Sequence, residues 1–176
     1  STCRIPFKDY TQNSYDTILN NSNFSSIFTV DIDNDSDLDI LFGGLDGVSL
    51  FTSAGSISYD LETIFSEMPM IPLFTHNQTN NSGTNIKSIF SADMDGDYHM
   101  DVLAGGDSGI YLWKNLGQYP VSSSISNIAW DPISNRIVKS IIALDLDGDI
   151  DIDIIAAGDF GIVWYENNGD INPTFS

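Results

Sequence analysis

Asp31-Ile32-Asp33-Asn34-Asp35-Ser36-Asp37-Leu38-Asp39 packs five carboxylates into nine residues, and the chain repeats the device twice. The counterparts are Asp93-Met94-Asp95-Gly96-Asp97-Tyr98-His99-Met100-Asp101 and Asp145-Leu146-Asp147-Gly148-Asp149-Ile150-Asp151-Ile152-Asp153. All three place Asp at positions 1, 3, 5 and 9, with Asn or Gly at position 4. Together they hold 14 of the 25 acidic residues of the chain. Like charges at that density repel unless a counter-charge neutralises them.

A bound Ca²⁺ supplies that charge, because it accepts about 6–8 oxygen ligands in irregular geometry. Alternate aspartates on a tightly turning loop aim several short carboxylates at one point. Asn or Gly at position 4 tolerates the left-handed backbone such a turn needs. Position 7 (Asp37, His99, Asp151) is expected to offer its backbone carbonyl, at least in the second loop. Position 9 (Asp39, Asp101, Asp153) would close the shell from the next strand. Mg²⁺ fits less well because it prefers octahedral geometry and keeps its waters. Zinc is disfavoured, since the loops carry no Cys and a single His. An EF-hand loop needs Gly at position 6 and an acid at position 12. Here position 6 is Ser36, Tyr98 or Ile150 and position 12 is Phe42, Ala104 or Ala156, so that reading fails.

The similarity runs beyond the acids. Each loop is followed by an apolar run ending in Gly (Ile40–Gly44, Val102–Gly106, Ile154–Gly158), then a Gly turn (Gly47, Gly109, Gly161). A third run follows: Val48–Phe51, Ile110–Asn115 and Ile162–Asn167. Ahead of the loops lie Ser26–Val30, Lys87–Ala92 and Lys139–Leu144. The unit therefore reads strand, acidic loop, strand, Gly turn, strand. First aspartates 62 and 52 residues apart leave room for a variable fourth strand in each linker. Repeats of this length and content predict an all-β array of propeller-type blades. Only Tyr59–Met68 has any helical periodicity, and it is weak.

These units resemble the FG-GAP/VCBS repeat family, whose members build calcium-binding blades of β-propellers, including the integrin α-subunit head. The resemblance covers about residues 26–53, 87–117 and 139–169, and it implies that the aspartates at positions 1, 3, 5 and 9 ligate calcium. Ser36, Tyr98 and Ile150 depart from the family's commoner Gly at position 6, which predicts an altered loop geometry. The repeats are expected at about 26–86, 87–138 and 139–176, within one domain spanning 1–176, with residues 1–25 as a linker or outer-strand segment. Three blades do not easily close a ring, for propellers use about 4–8. Three readings remain: an excerpt of a longer propeller, a subunit completing blades with another chain, or an open arc capped by its tails. The terminal blade is expected to lack its own outer strand.

A formal charge of −19 argues against nucleic acid and anionic membrane surfaces. No run approaches the roughly 20 apolar residues of a membrane span, and no signal peptide is visible. Weak calcium sites suit an extracellular or cell-surface setting. Sequons at Asn20, Asn23, Asn77 and Asn80 are candidate glycosylation sites, whereas Asn34 lies inside an acidic loop and is a poor acceptor. Cys3 has no partner in the chain, leaving an exposed thiol or an intermolecular disulfide open. His76 and His99 are scattered, and no nucleophile elbow, phosphate cradle or zinc signature occurs, so catalysis is not expected. The expected partners are a protein or glycan ligand, or further copies of the chain. The leading expectation is a non-catalytic module for adhesion, recognition or assembly. A structural subunit of an extracellular filament or surface layer is the first alternative, and a carbohydrate-binding module using Trp130 the second.

Overall fold

The computed structural model describes residues 23–45, 47–52, 71–74, 85–118, 125–128, 136–170 and 173–176. Cys3, Asn20, Tyr59–Met68, His76, Asn77, Asn80 and Trp130 fall outside them. The described residues form strands and no helix, so none of these has a helix long and apolar enough to cross a membrane.

Three antiparallel sheets follow one another along the chain. The first is β1 (Phe24–Val30), β2 (Asp39–Gly44), β3 (Gly47–Phe51) and β4 (Ile71–Phe74), paired in that order. The second repeats it with β5 (Ile86–Ala92), β6 (Asp101–Gly106), β7 (Gly109–Asn115) and β8 (Ile125–Ile128). The third holds β9 (Val138–Leu144), β10 (Asp153–Gly158) and β11 (Gly161–Tyr165). Each acidic loop joins the first two strands of a sheet, and each glycine turn joins the next two. These are propeller-like blades in an open array. The expected outer strands exist as β4 and β8, hydrogen-bonded to the third strand of their own blade.

Among the described residues the terminal blade has three strands and no fourth, as expected, and its tail adds one isolated bridge. Phe175 bridges Asn167, and Ser176 and Glu166 exchange backbone hydrogen bonds of 3.0 and 3.3 Å. This bridge stands where β8 begins, at Asn115↔Ile125. The tail thus meets the blade edge at the register of β8 through one bridge, without forming a strand.

The apolar core lies between blades. Leu41, Val48 and Leu50 of the first pack against Ile86, Val102 and Trp113 of the second. Leu103, Ile110 and Leu112 pack in turn against Val138, Ile141 and Ile154. Burying each such side chain contributes about 1.5–3 kcal/mol. The approach is close at Gly43, where an added Cβ would lie 2.5 Å from Ile86 Cγ2, and Gly105 meets Val138 in the same way. Serine clips register the contact: Ile89 N donates to Ser26 Oγ (2.9 Å) and Ile141 N to Ser88 Oγ (3.1 Å).

Candidate metal centres

Each acidic loop is wound by its own carboxylates. Position 1 accepts two backbone N–H groups: Asp35 and Ser36 on Asp31 (3.1 and 2.9 Å), Asp97 and Tyr98 on Asp93 (3.0 and 2.9 Å). In the third loop Asp145 takes Gly148 and Ile150 (2.7 and 3.1 Å). Position 5 N–H donates to position 3, and position 7 N–H to position 5, in all three loops. This staircase of Asx turns is the local reason for aspartate at alternate residues.

Position 4 is left-handed as expected, with φ of 60° at Asn34, 72° at Gly96 and 85° at Gly148. Position 6 is left-handed too, at Ser36 (74°), Tyr98 (69°) and Ile150 (87°). The missing glycine therefore leaves all three loops with the same handedness. Ile150 is β-branched and the worst suited to that conformation. Ile150→Gly is expected to stabilise the chain by about 1 kcal/mol, since the left-handed form strains an L-residue by roughly 1–2 kcal/mol. A melting temperature raised by about 2–4 °C would register it; a lowered one would contradict it.

Position 9 does more than sequence suggested. Asp39, Asp101 and Asp153 are buried. Asp101 takes Met94 N on one oxygen (3.0 Å) and Asn115 N on the other (2.7 Å); Asp153 takes Leu146 N (3.2 Å) and Asn167 N (2.9 Å). Asp39 accepts Ile32 N (2.9 Å). Position 9 therefore ties the start of its loop, and in the second and third blades the end of the third strand. Asn115 and Asn167, which no motif singled out, then reach across to the preceding blade. Their Nδ2 groups donate to Ile32 O (2.8 Å) and Met94 O (2.9 Å), the position-2 carbonyls of the preceding loops. The recurring Asn-x-Gly at Asn115–Gly117 and Asn167–Gly169 was the available signal.

Carboxylate oxygens of Asp31, Asp33 and Asp39 gather within 4.8 Å of one another, as do those of Asp93, Asp95 and Asp101, and of Asp145, Asp147 and Asp149. Asp35, Asp97 and Asp153 lie outside these tightest groups, as do Asp37, His99 and Asp151 at position 7. Burial, then the charge of Asp35, pushes Asp33 up. Asp147 is likewise raised, by desolvation and then by Asp149 and Asp153. Desolvation carries Asp101 to about 7 against two opposing backbone hydrogen bonds, with Asp95 and Asp97 adding to the rise. Asp95 Oδ2 is buried and, among the described residues, is met by the Lys114 ammonium alone. An all-oxygen donor set, crowded and short of positive charge, fits a hard cation.

Residues 93–156 match the family model of the FG-GAP-like repeat. The match covers about a third of the chain, which over that stretch is similar to an FG-GAP-like repeat. The match begins on the first aspartate of the second loop and ends in β10, and the first blade repeats the same loop hydrogen bonds. A comparison with curated proteins finds no match.

The three acidic loops differ in their neighbours. Lys114, on β7, meets Asp95 and lies 3.6 Å from Asp97. Burial pulls its pKa down, but the hydrogen bond to Asp95 and the charges of Asp95, Asp97 and Asp101 outweigh that and leave it raised. Thr52 and Glu166 stand at this register in the other blades. Lys114→Met is therefore expected to tighten calcium at the second loop about tenfold and to lower metal-free stability. Titration calorimetry and melts in chelator check the two effects; unchanged affinity would contradict the first.

Asp101 also sets a pH dependence. Its carboxyl holds a proton to about pH 7 in the fold against an ordinary 3.8. Between those values the folded state binds more protons than the unfolded chain, so metal-free stability falls as pH rises. Melts in EGTA at pH 5 and 7.5 should show the higher temperature at pH 5, and calcium should abolish the difference.

Among the candidate acceptors for glycans, Asn23 is exposed. Asn34 Nδ2 is engaged 2.9 Å from His99 Nδ1, which ties the first loop to the second.

Proposed function

We propose that the chain is a non-catalytic, calcium-stabilised blade module of an extracellular or cell-surface protein, serving adhesion, recognition or assembly. Its partners are protein or glycan ligands, or further repeat-bearing molecules. The observation that supports this reading is the convergence of three aspartates in each of three loops. At a formal charge of −19, those carboxylates repel one another in the folded state, and three Ca²⁺ ions relieve that repulsion locally. The ions are structural: each binds the folded form and shifts the folding equilibrium by mass action. Affinities of about 10⁻⁴–10⁻³ M would suit extracellular calcium.

Titration calorimetry with CaCl₂ tests the reading. About three sites are expected, and Asp95→Ala should remove one while sparing the other two. Absence of binding at millimolar calcium, or an unaltered stoichiometry in Asp95→Ala, would count against it. A role as an assembly subunit is the second reading, favoured by the exposed face of the third blade.

A further inference from the structure

The second acidic loop already holds a cation of the chain's own. Lys114, on β7, sends its ammonium to Asp95 Oδ2 and stands 3.6 Å from Asp97 Oδ2. The pair is enclosed: the Lys114 side chain is 11% exposed and that of Asp95 1%. The other Asp95 oxygen accepts Asp97 N at 3.3 Å, just as Oδ1 of Asp33 and of Asp147 accepts the position-5 N–H. Lys114 therefore sits on the oxygen that this hydrogen bond leaves over, on a carboxylate of the Asp93, Asp95 and Asp101 group. Among the described residues, Asp33 and Asp147 have no such ion pair, and Thr52 and Glu166 stand where Lys114 does.

Ammonium and calcium compete for that oxygen. A Ca²⁺ ligated by Asp95 lies about 2.3–2.6 Å from it. With Nζ still in place, a double and a single positive charge would face each other a few ångströms apart, buried where salt screens little. Lys114 can carry its ammonium to water on a flexible four-carbon stem, whereas Asp95 is wound into its loop by Asp97 N. The lysine is the partner that moves. Building on calcium as the ion of these loops, we propose that it enters the second loop by displacing the Lys114 ammonium. That site then fills last, and its filling delivers the Lys114 amine to solvent.

The charge balance points the same way. Four acids less Lys114 leave the second loop at a formal −3, whereas five acids leave the first and third at −5. The second loop therefore gains least from a divalent ion and is the best neutralised without one. Its blade is also packed on both sides, against the first and the third, so the ammonium-held form keeps the middle of the array in place. Low calcium fills the first and third loops; higher calcium adds the second and opens Lys114 to an acylating reagent.

The whole chain is acetylated with an N-hydroxysuccinimide ester in EGTA and across a CaCl₂ titration, at a temperature where circular dichroism shows the metal-free form folded. Peptide mapping reads each lysine, with the exposed Lys139 as internal standard. In EGTA, Lys114 is expected to label about tenfold more slowly than Lys139, because labelling waits on local opening of the ion pair. Calcium should bring it within about twofold of Lys139, at a midpoint about tenfold above that of the first sites in calorimetry. Asp93→Asn weakens the metal group and leaves both members of the ion pair in place, so Lys114 should stay slow at calcium levels that release it in the wild type. Calorimetry on the same protein separates this exchange from calcium binding itself. Three filled sites with Lys114 still slow overturn the exchange and leave calcium standing, whereas no binding overturns both. Lys114 as reactive as Lys139 in EGTA, or a calcium-driven rise in Asp93→Asn equal to the wild type, also overturns the exchange.

Discussion

Excess EGTA is expected to lower the melting temperature by about 15–30 °C from its value in calcium at a hundredfold excess over the dissociation constants. One site at a hundredfold excess of calcium over its dissociation constant contributes about 2.7 kcal/mol, and three contribute about 8. A chain of this size shifts by roughly 2–4 °C for each kcal/mol. The loops make the effect large: with the ion removed, carboxylates within 4.8 Å of one another must protonate, as Asp101 does at about pH 7, or repel. Among the described residues, Lys114 softens the loss in the second loop alone. A melt that ignores EGTA would mean that these loops are held by their Asx turns without a cation.

Asp101→Ala should be the most damaging single loop substitution, at about 3–5 kcal/mol with calcium present. The side chain is 1% exposed and accepts Met94 N and Asn115 N. Truncation strands two buried donors, each at about 1–3 kcal/mol, and removes a carboxylate from the metal group. It also frees Asn115, whose amide holds Ile32 O of the first blade, so the harm crosses the blade interface. Asp37→Ala, at position 7 and outside the metal group, should cost about 1 kcal/mol or less. Urea denaturation of both variants checks the contrast; equal losses would contradict the dual role of position 9.

The blades were legible in the sequence because two periodicities coincide there. The Asp register marks each loop, and apolar runs such as Val102–Gly106 mark strands buried on both faces. The outer strands β4 and β8 were not located, since they are four residues long and keep no common register with the repeats. Pro72 inside β4 further weakens a strand signal. In the site, the acids announced themselves through charge density, while Asn115, Asn167, Ser26 and Ser88 did not. Their work is long-range hydrogen bonding between blades, and a single sequence gives such residues no distinctive chemistry. The left-handed position 6 was hidden for a related reason: Ser36, Tyr98 and Ile150 carry none of glycine's conformational signature.

The most direct measurement of the central claim is anomalous scattering from crystals grown in calcium. Three peaks are expected, one at each loop, about 2.3–2.6 Å from carboxylate oxygens of Asp31 and Asp33, Asp93 and Asp95, and Asp145 and Asp147. Loops of this conformation with no anomalous peak at millimolar calcium would contradict it.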